Sequence, residues 1–343
     1  MTIRILTGDC RDILRTLPDE SVHCVVTSPP YWGLRDYGVE GGIGLEATPS
    51  EHIDNLVGVF REVRRALRSD GTLWLNYGDS YATGTRGERS PTNRGLHGYW
   101  ESPDVKCRIA GRSEGLKPKD LMGLPWRVAF ALQADGWWLR QDIIWSKPNP
   151  MPESVTDRCR KAHEYLFLMS KSARYFYDQD AILEPCSRNT HARLSQDVQA
   201  QVGSERAHAG RKTNGNMKAV GRGPKTALAG SGIKYNESFA PAVSMPVTER
   251  NKRSVWEVAT QPFSQAHFAT FPPALIEPCI MAGCPRGGVV LDPFGGAGTT
   301  GLVADRLGRN AILIELNPEY AAMARRRIAR DQPPMFASEV AVE

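Results

Sequence analysis

One stretch near the amino terminus constrains the fold of this chain most, because it predicts a strand, a helix and a second strand in succession. Residues 22–26 form a short apolar run, and residues 50–67 place apolar side chains at helical spacing. Asp70 and Gly71 are expected to end this helix, and residues 72–76 form a second apolar run. Two strands joined by a helix form the crossover unit of a parallel sheet, so the sequence predicts an α/β fold.

A turn with two prolines follows the first of these strands. Pro29 and Pro30 have a fixed φ angle and no N–H group to give to a sheet, so they end the strand abruptly. Ser28, Tyr31 and Trp32 are therefore expected at the carboxyl edge of the sheet, where open α/β sheets bind their ligands. This edge is predicted to be an active site.

A second motif far downstream combines a strand, a glycine-rich turn and a helix. A buried strand runs to Asp292, and Gly296, Gly298 and Gly301 then match the pattern Gly-x-Gly-x-x-Gly. Glu315 ends the next predicted strand, where an acid can reach ribose hydroxyls. Such glycines let the backbone approach any adenosine-containing cofactor, so the loop fits either a dinucleotide or S-adenosylmethionine.

The rest of the core is predicted from the same kinds of pattern. Helices are expected at residues 11–17, 121–134, 272–282, 301–307 and 318–329, and strands at residues 3–9, 137–145, 164–170, 288–292 and 311–315. The strands at 137–145 and 164–170 are expected to form an antiparallel edge pair. Asp9 is the first acidic side chain at a strand end.

The composition excludes several classes of protein. The 343 residues are 41% hydrophobic, which suffices for one large α/β domain with an added module. The seven cysteines contain no Cys-x-x-Cys pair, so neither a disulfide framework nor a metal site is predicted. No apolar run reaches the roughly 18 residues of a membrane span, and the amino terminus lacks the apolar core of a signal peptide. A cytoplasmic protein is expected.

Two segments depart from the α/β pattern. Residues 83–120 are rich in Gly, Pro, Ser and Arg and are predicted to be an inserted surface loop. Residues 187–254 hold 12 Lys and Arg against 4 Asp and Glu, a net charge of +8, while the whole chain carries +5. Such a segment is either a solvated, partly disordered insert or a nucleic-acid-binding region. The predicted core then has a catalytic part, residues 1–186, and a cofactor-binding part, residues 255–330, followed by a tail at 331–343.

With these motifs the sequence resembles the DNA methyltransferases that act on the exocyclic amino group of cytosine or adenine. Thr-Ser-Pro-Pro-Tyr-Trp at residues 27–32 resembles their catalytic motif, and Phe-Gly-Gly-Ala-Gly at residues 294–298 resembles their cofactor motif. Trp-Ser-Lys-Pro-Asn at residues 145–149 and the pair His163 and Glu164 resemble their later core motifs. A catalytic motif first, a variable basic segment between and a cofactor motif last is the order of their β group.

The resemblance implies a fold and a set of partners. It implies a Rossmann-like, S-adenosylmethionine-dependent methyltransferase fold with a mostly parallel seven-stranded sheet, an antiparallel edge strand and a circularly permuted motif order. It also implies S-adenosylmethionine as the cofactor, double-stranded DNA as the substrate and residues 187–254 as the target-recognition region. A homodimer and a cognate restriction endonuclease stay open as further partners, and the expected location is the cytoplasm, in association with the nucleoid, for an enzyme of prokaryotic or phage origin.

The resemblance also assigns the cofactor-binding residues, which are Asp9, Asp292, Phe294, Gly296, Gly298, Thr299 and Glu315. Glu315 is expected to hold the ribose and Asp9 to contact the adenine, while Asp292 and Thr299 are expected to face the methionine end.

The catalytic residues that it implies are Ser28, Pro29, Pro30 and Tyr31. The target base flips out of the duplex and is expected to stack on Tyr31. Ser28 Oγ and the Pro29 carbonyl accept hydrogen bonds from the amine, which favours attack on the methyl group of the cofactor. Neither a strong general base nor a cysteine nucleophile is needed.

Ser28 favours cytosine N4 as the methylated atom. Family members with Asp at this place mostly methylate adenine, and a hydroxyl can both accept from the amine and donate toward a ring acceptor. Adenine N6 methylation is the alternative, because both amines present two hydrogens. Remoter alternatives are an NAD-dependent dehydrogenase, which would leave the basic segment unexplained, and a non-catalytic DNA-binding module, which would leave the glycine loop unexplained.

Overall fold

The computed structural model of the protein describes six stretches of the chain, namely residues 1–33, 41–82, 115–186, 249–261, 270–331 and 340–341. The chain forms two compact units, the first of Met1–Ala181 with Arg253–Glu343 and the second of Ile182–Lys252. Most of the predicted loop at 83–120 and most of the basic segment at 187–254 lie outside the described residues.

Strands and helices alternate along most of the described chain, as the sequence predicts. The strands are β1 (Ile3–Thr7), β2 (Val22–Thr27), β3 (Leu67–Tyr77), β4 (Trp138–Ser146), β5 (His163–Ser170), β6 (Glu184–Pro185), β7 (Glu249–Arg250), β8 (Val255–Glu257), β9 (Val289–Asp292), β10 (Asn310–Glu315) and β11 (Val340–Ala341). The α-helices are α1 (Cys10–Thr16), α2 (Pro49–Ala66), α3 (Leu124–Ala134), α4 (Pro273–Gly283), α5 (Thr299–Arg306) and α6 (Pro318–Asp331).

The first unit is built on one mixed sheet with the strand order β11-β1-β10-β9-β2-β3-β5-β4-β8. Every neighbouring pair is parallel except those of β5, which runs antiparallel to both β3 and β4. The structure therefore confirms the α/β class and the mostly parallel sheet. The antiparallel strand β5 lies inside the sheet rather than at its edge, because β4 pairs with its outer side and the short strand β8 pairs in turn with the carboxyl end of β4. Another short strand, β11, extends the sheet at its other end.

Helices cover both faces of this sheet. Side chains of successive strand residues point to opposite faces, so Cys24 and Val25 mark the two sides of β2. Val25 belongs to the large core cluster that also contains the buried side chains of α2 and α3. On the other face α4 approaches so closely that a Cβ added at Gly283 would lie 3.0 Å from Cys24 Sγ and 2.5 Å from Thr72 Oγ1.

The boundary between α2 and β3 differs from the sequence prediction. The helix ends at Ala66 and β3 begins at Leu67, so Asp70 and Gly71 lie within the strand and do not end the helix. Leu67 has extended dihedral angles and its N–H still donates to the carbonyl of Val63. Gly71 is required instead by packing, because an added Cβ would lie 2.5 Å from Leu67 Cδ1.

The described part of the second unit is a small antiparallel ribbon. In this ribbon β6 pairs with β7, Glu184 lies opposite Arg250, and Arg250 Nε donates to Glu184 Oε1 over 2.9 Å. Residues 187–248 connect the two strands and lie outside the described residues. The assignment of residues 187–254 to target recognition, and the domain boundaries placed there, remain predictions.

Candidate active site

Four neighbouring parallel strands deliver the predicted site residues to one edge of the sheet. Asp9 follows β1, Glu315 ends β10, Asp292 ends β9 and Ser28 follows β2. The carboxyl ends of parallel strands share one edge, and a pocket forms there. The predicted residues that line it are Asp9, Ser28, Pro29, Pro30, Tyr31, Asp292, Phe294, Gly296, Thr299 and Glu315.

The pairing of β2 with β9 joins the two motifs that are far apart in the sequence. Cys24 lies opposite Val290 and Val25 opposite Leu291 in this parallel pair. At its carboxyl end Thr27 Oγ1 donates to Asp292 Oδ1 over 2.7 Å. The proline turn after β2 and the glycine loop after β9 are therefore side by side.

Asp292 ties the two motifs together from a fully buried position. Thr300 Oγ1 donates to its Oδ2 over 2.6 Å, and the N–H of Phe294 donates to its Oδ1 over 3.1 Å. Burial raises the pKa of Asp292 to about 6, although the hydrogen bonds from Thr27, Thr300 and Phe294 act in the opposite direction. Both carboxylate oxygens thus have partners within the protein, and the expected contact with the methionine end of a cofactor remains a prediction.

Replacing Asp292 by asparagine is expected to change how stability depends on pH. Because the pKa of Asp292 is about 6 in the folded protein and near its ordinary value in the unfolded chain, the folded state binds this proton more tightly. Its contribution to the free energy of unfolding therefore falls as pH rises from about 4 to about 6. Between pH 5 and pH 7 the unsubstituted protein should lose roughly 1 kcal/mol more than Asp292→Asn. Urea unfolding at both pH values measures this, and equal losses in the two proteins would contradict it.

The glycine loop depends on backbone conformations that favour glycine. Gly296 has a φ of +49° and Gly298 a φ of +76°, both in the left-handed region. Gly298 is the N-cap of α5, and a Cβ there would lie 2.8 Å from Ala324 Cβ in α6. Gly298 does not line the pocket, unlike the other predicted cofactor residues. What the structure shows for it is a role in the turn and in packing α5 against α6.

Glu315 holds the glycine loop against the end of β10. Its Oε2 accepts from the N–H of Gly296 over 2.7 Å, and its Oε1 accepts from the N–H of Asn317 over 2.8 Å. Burial raises the pKa of Glu315, while these backbone hydrogen bonds act in the opposite direction. Each oxygen still has a lone pair, so the carboxylate can accept from hydroxyl groups of a ligand in the pocket.

Asp9 is paired with a residue that the sequence analysis did not identify. Asp9 caps α1 by accepting from the N–H of Arg11 over 2.8 Å, and the guanidinium of Arg11 binds the same carboxylate. These hydrogen bonds lower the pKa of Asp9. Arg11 Nη2 also donates to the carbonyl of Gly41 over 2.8 Å, and both residues line the pocket. In the sequence, the sign of this pairing is an arginine two positions after an aspartate that can cap a helix.

The proline turn carries a hydrogen-bonded cluster at the other side of the pocket. Ser28 Oγ donates to Tyr31 Oη over 3.3 Å. Tyr31 Oη lies 2.9 Å from Glu164 Oε2 and 3.2 Å from Asn76 Oδ1. Lys147 forms an ion pair with Glu164, and the two side chains are only 17% and 16% exposed. Asn76 is a polar residue near the end of β3, and Glu164 lies near the start of β5. Neither position predicts a role from the sequence alone.

The aromatic ring of Tyr31 is closely packed against Tyr77 and Gly78. Its centroid lies 4.8 Å from that of Tyr77, with 33° between the ring planes. A Cβ at Gly78 would come within 2.7 Å of Tyr31 Cε2, so a glycine is needed to admit the ring. The stacking of a target base on Tyr31 remains a prediction.

Comparison with known proteins decides the family. A sequence model of the N6/N4 group, described as DNA methylase, matches residues 22–326. The chain belongs to this DNA methylase family. Type II methyltransferase M.XycI of Xanthomonas campestris pv. cyanopsidis is 46% identical over 325 residues, which cover 94% of this chain and 87% of that protein. The chain is therefore a DNA methyltransferase of the N6/N4 type.

Solved structures agree with the fold of this DNA methylase. A putative DNA modification methylase from Thermus thermophilus, complexed with S-adenosyl-L-methionine, matches with a TM-score of 0.55 and 24% identity, covering 99% of this chain and 100% of that one. The PvuII DNA methyltransferase, described as cytosine-N4-specific, matches with a TM-score of 0.57 and 19% identity, covering 95% and 87%. At such identities the likeness concerns the fold alone.

Neither a metal centre nor a membrane-spanning helix is found in the described part of this DNA methylase. Among the residues that the structure describes, no group of three or more His, Cys, Asp or Glu side chains could hold a metal ion. None of the described helices is both long and apolar enough to cross a membrane.

Proposed function

We propose that this DNA methylase transfers a methyl group from S-adenosylmethionine to N4 of a cytosine that has flipped out of duplex DNA. The observation that carries the proposal is the neutral Ser28 hydroxyl in the pocket, next to the glycine loop on the adjacent strand. Ser28 occupies the position at which similar enzymes that methylate adenine mostly have aspartate.

The residues around the glycine loop fit S-adenosylmethionine. Gly296 has no side chain to block the approach of a ligand, and the Glu315 carboxylate retains lone pairs for the two ribose hydroxyls. Asp9 lies at the end of the neighbouring strand, where it can accept from the amino group of adenine. The cofactor supplies an electrophilic methyl group on a positively charged sulfur.

The residues of the proline turn fit the amine of the target base. The Ser28 hydroxyl donates to Tyr31, so its lone pairs can accept from an N–H group in the pocket. Positive charge develops on the amine nitrogen during methyl transfer, and acceptors aimed at its hydrogens stabilise that charge. The Pro29 carbonyl is the second acceptor in this proposal.

The partners of the enzyme follow from the same proposal. Duplex DNA is the substrate, and residues 187–254, with a net charge of +8, contact its phosphates and read its sequence. Because M.XycI is named a Type II methyltransferase, we infer a cognate restriction endonuclease that acts on the same site. The family match leaves no support for a dehydrogenase or a non-catalytic DNA-binding module.

Mass spectrometry of nucleosides tests the choice of base. Unmethylated DNA is treated with the enzyme and S-adenosylmethionine, digested to nucleosides and compared with DNA treated without the cofactor. The proposal predicts N4-methyldeoxycytidine as the main new nucleoside. N6-methyldeoxyadenosine as the main product would contradict the role given to Ser28 and leave the DNA methylase family intact.

A further inference from the structure

Two partners of the Tyr31 hydroxyl can only accept its hydrogen. Glu164 Oε2 lies 2.9 Å away and Asn76 Oδ1 lies 3.2 Å away. A carboxylate and an amide oxygen have no hydrogen to give. Tyr31 must therefore donate toward this pair, and its own oxygen is left to accept.

The orientation of Asn76 is fixed by its own partners. Its Nδ2 donates to Glu164 Oε2 over 3.2 Å and to the carbonyl of Tyr165 over 3.1 Å. Both partners are acceptors, so the amide nitrogen belongs on that side and the amide oxygen faces Tyr31. Asn76 and Glu164 thus impose the same direction on the Tyr31 hydroxyl.

The charge states of the cluster support that direction. Lys147 pairs with Glu164, and its ammonium group lies 4.3 Å from the centroid of the Trp145 ring, so the ionised carboxylate has a fixed counter-charge. Burial and the Glu164 carboxylate raise the pKa of Tyr31 well above its ordinary value. Tyr31 therefore keeps its hydrogen at neutral pH.

The direction is passed on to Ser28. Since Tyr31 Oη donates toward Glu164 and Asn76, it receives the hydrogen of Ser28 Oγ, which lies 3.3 Å away. The Ser28 oxygen then faces the pocket with lone pairs only. A hydroxyl that was free to rotate would spend part of its time donating and would repel the hydrogens of an amine.

We propose that Glu164 is a positioning residue which, through Tyr31 and with Asn76, holds Ser28 as a hydrogen-bond acceptor and so selects a target group that presents N–H. This inference rests on the proposed function. It assigns Glu164 no direct contact with the substrate, and its effect on methyl transfer should therefore require both Tyr31 and Ser28.

Substitutions that keep the shape of the cluster test the proposal. Glu164→Gln can present an N–H to Tyr31, so the direction of the hydrogen bonds from Ser28 through Tyr31 is no longer fixed. Tyr31→Phe removes the hydroxyl between Ser28 and Glu164 while keeping the aromatic ring. Single-turnover methyl transfer from labelled S-adenosylmethionine to unmethylated DNA should slow by roughly 10- to 100-fold in each variant. Glu153→Gln is the matched control, because it removes an ion pair with Arg158 in the β4–β5 connection, shortly before Glu164 in the chain, and its rate should stay within about twofold of the starting protein.

The decisive comparison places Glu164→Gln in a Ser28→Ala background. If Glu164 acts through Ser28, the double variant should be no slower than Ser28→Ala alone, whereas a residue that only holds Tyr31 in place would slow both backgrounds by the same factor. Equal slowing in both backgrounds, or a Glu164→Gln rate within about twofold of the starting protein, would overturn the proposal. If Glu164→Gln does not fold, Tyr31→Phe in the same two backgrounds gives the same test. Failure of the unsubstituted enzyme to methylate DNA would overturn the proposed function itself, and this inference with it.

Discussion

Replacing Ser28 by alanine is expected to slow methyl transfer by roughly 100- to 1000-fold, which corresponds to a loss of about 3 to 4 kcal/mol of transition-state stabilisation. By the proposed function, the Ser28 oxygen is an acceptor that its bond to Tyr31 holds toward the pocket. Its interaction with the amine strengthens as positive charge develops there, so its loss should lower the rate of the chemical step. Single-turnover kinetics with labelled S-adenosylmethionine measure that step apart from product release.

Affinity for the cofactor and the fold should survive this substitution. Ser21→Ala is a matched control, because Ser21 Oγ donates to the nearby carbonyl of Pro18 in a surface turn, and this variant should keep the full rate. A Ser28→Ala enzyme with a normal single-turnover rate would show that Ser28 is not the acceptor. Weaker cofactor binding with an unchanged rate of the bound complex would instead place Ser28 in the cofactor site.

Replacing Glu315 by glutamine is expected to weaken S-adenosylmethionine binding by roughly 10- to 100-fold. The carboxylate accepts from the N–H groups of Gly296 and Asn317 and has lone pairs left for ribose hydroxyls. An amide keeps one oxygen but turns an NH2 group toward a backbone N–H, which loses one of the two bonds and disturbs the glycine loop. Equilibrium dialysis with labelled cofactor gives the dissociation constants.

Glu319→Gln provides the control for this change. Glu319 lies in the first turn of α6, is exposed, and undergoes the same loss of one negative charge four positions later in the chain. Its cofactor affinity should equal that of the unsubstituted enzyme. If Glu315→Gln also binds normally while its thermal unfolding is unchanged, the ribose must be held by another residue.

The elements of the fold were predictable because each strand and helix carries its own pattern. The buried runs that became β2, β9 and β10 and the apolar stripe of α2 need only local sequence. The position of β5 could not be read in the same way. It lies between β3 and β4 because it pairs antiparallel with both, and its pairing with β3 joins strands that are far apart in the sequence.

The site residues that could be predicted from the sequence are those that lie at the ends of predicted strands. Asp9, Ser28, Asp292 and Glu315 follow or close buried strands, and all four line the pocket. Glu164 belongs to a motif that the resemblance identified, but its bond to Tyr31 spans 133 positions and exists because β5 runs antiparallel to β3. Such a contact has no local signal in one sequence.

The hydrogen bond of Ser28 also differs from the sequence expectation. A hydroxyl can accept from an amine and donate toward a ring acceptor, and that double role was one reason to favour cytosine. In the structure the Ser28 hydrogen is directed at Tyr31. The preference for cytosine therefore rests on the resemblance and on the neutral charge of Ser28, and the acceptor role rests on the geometry.

A crystal structure of the enzyme with bound S-adenosylmethionine would test the central claim most directly. The account predicts electron density for the cofactor over the glycine loop, with ribose hydroxyls about 2.6 to 3.2 Å from the Glu315 carboxylate oxygens. The adenine should lie beside Asp9 and the methyl group should point toward Ser28. Density elsewhere, or a cofactor whose methyl group points away from Ser28 while Glu315 contacts only the protein, would contradict the claim that the glycine loop and the proline turn form one active site.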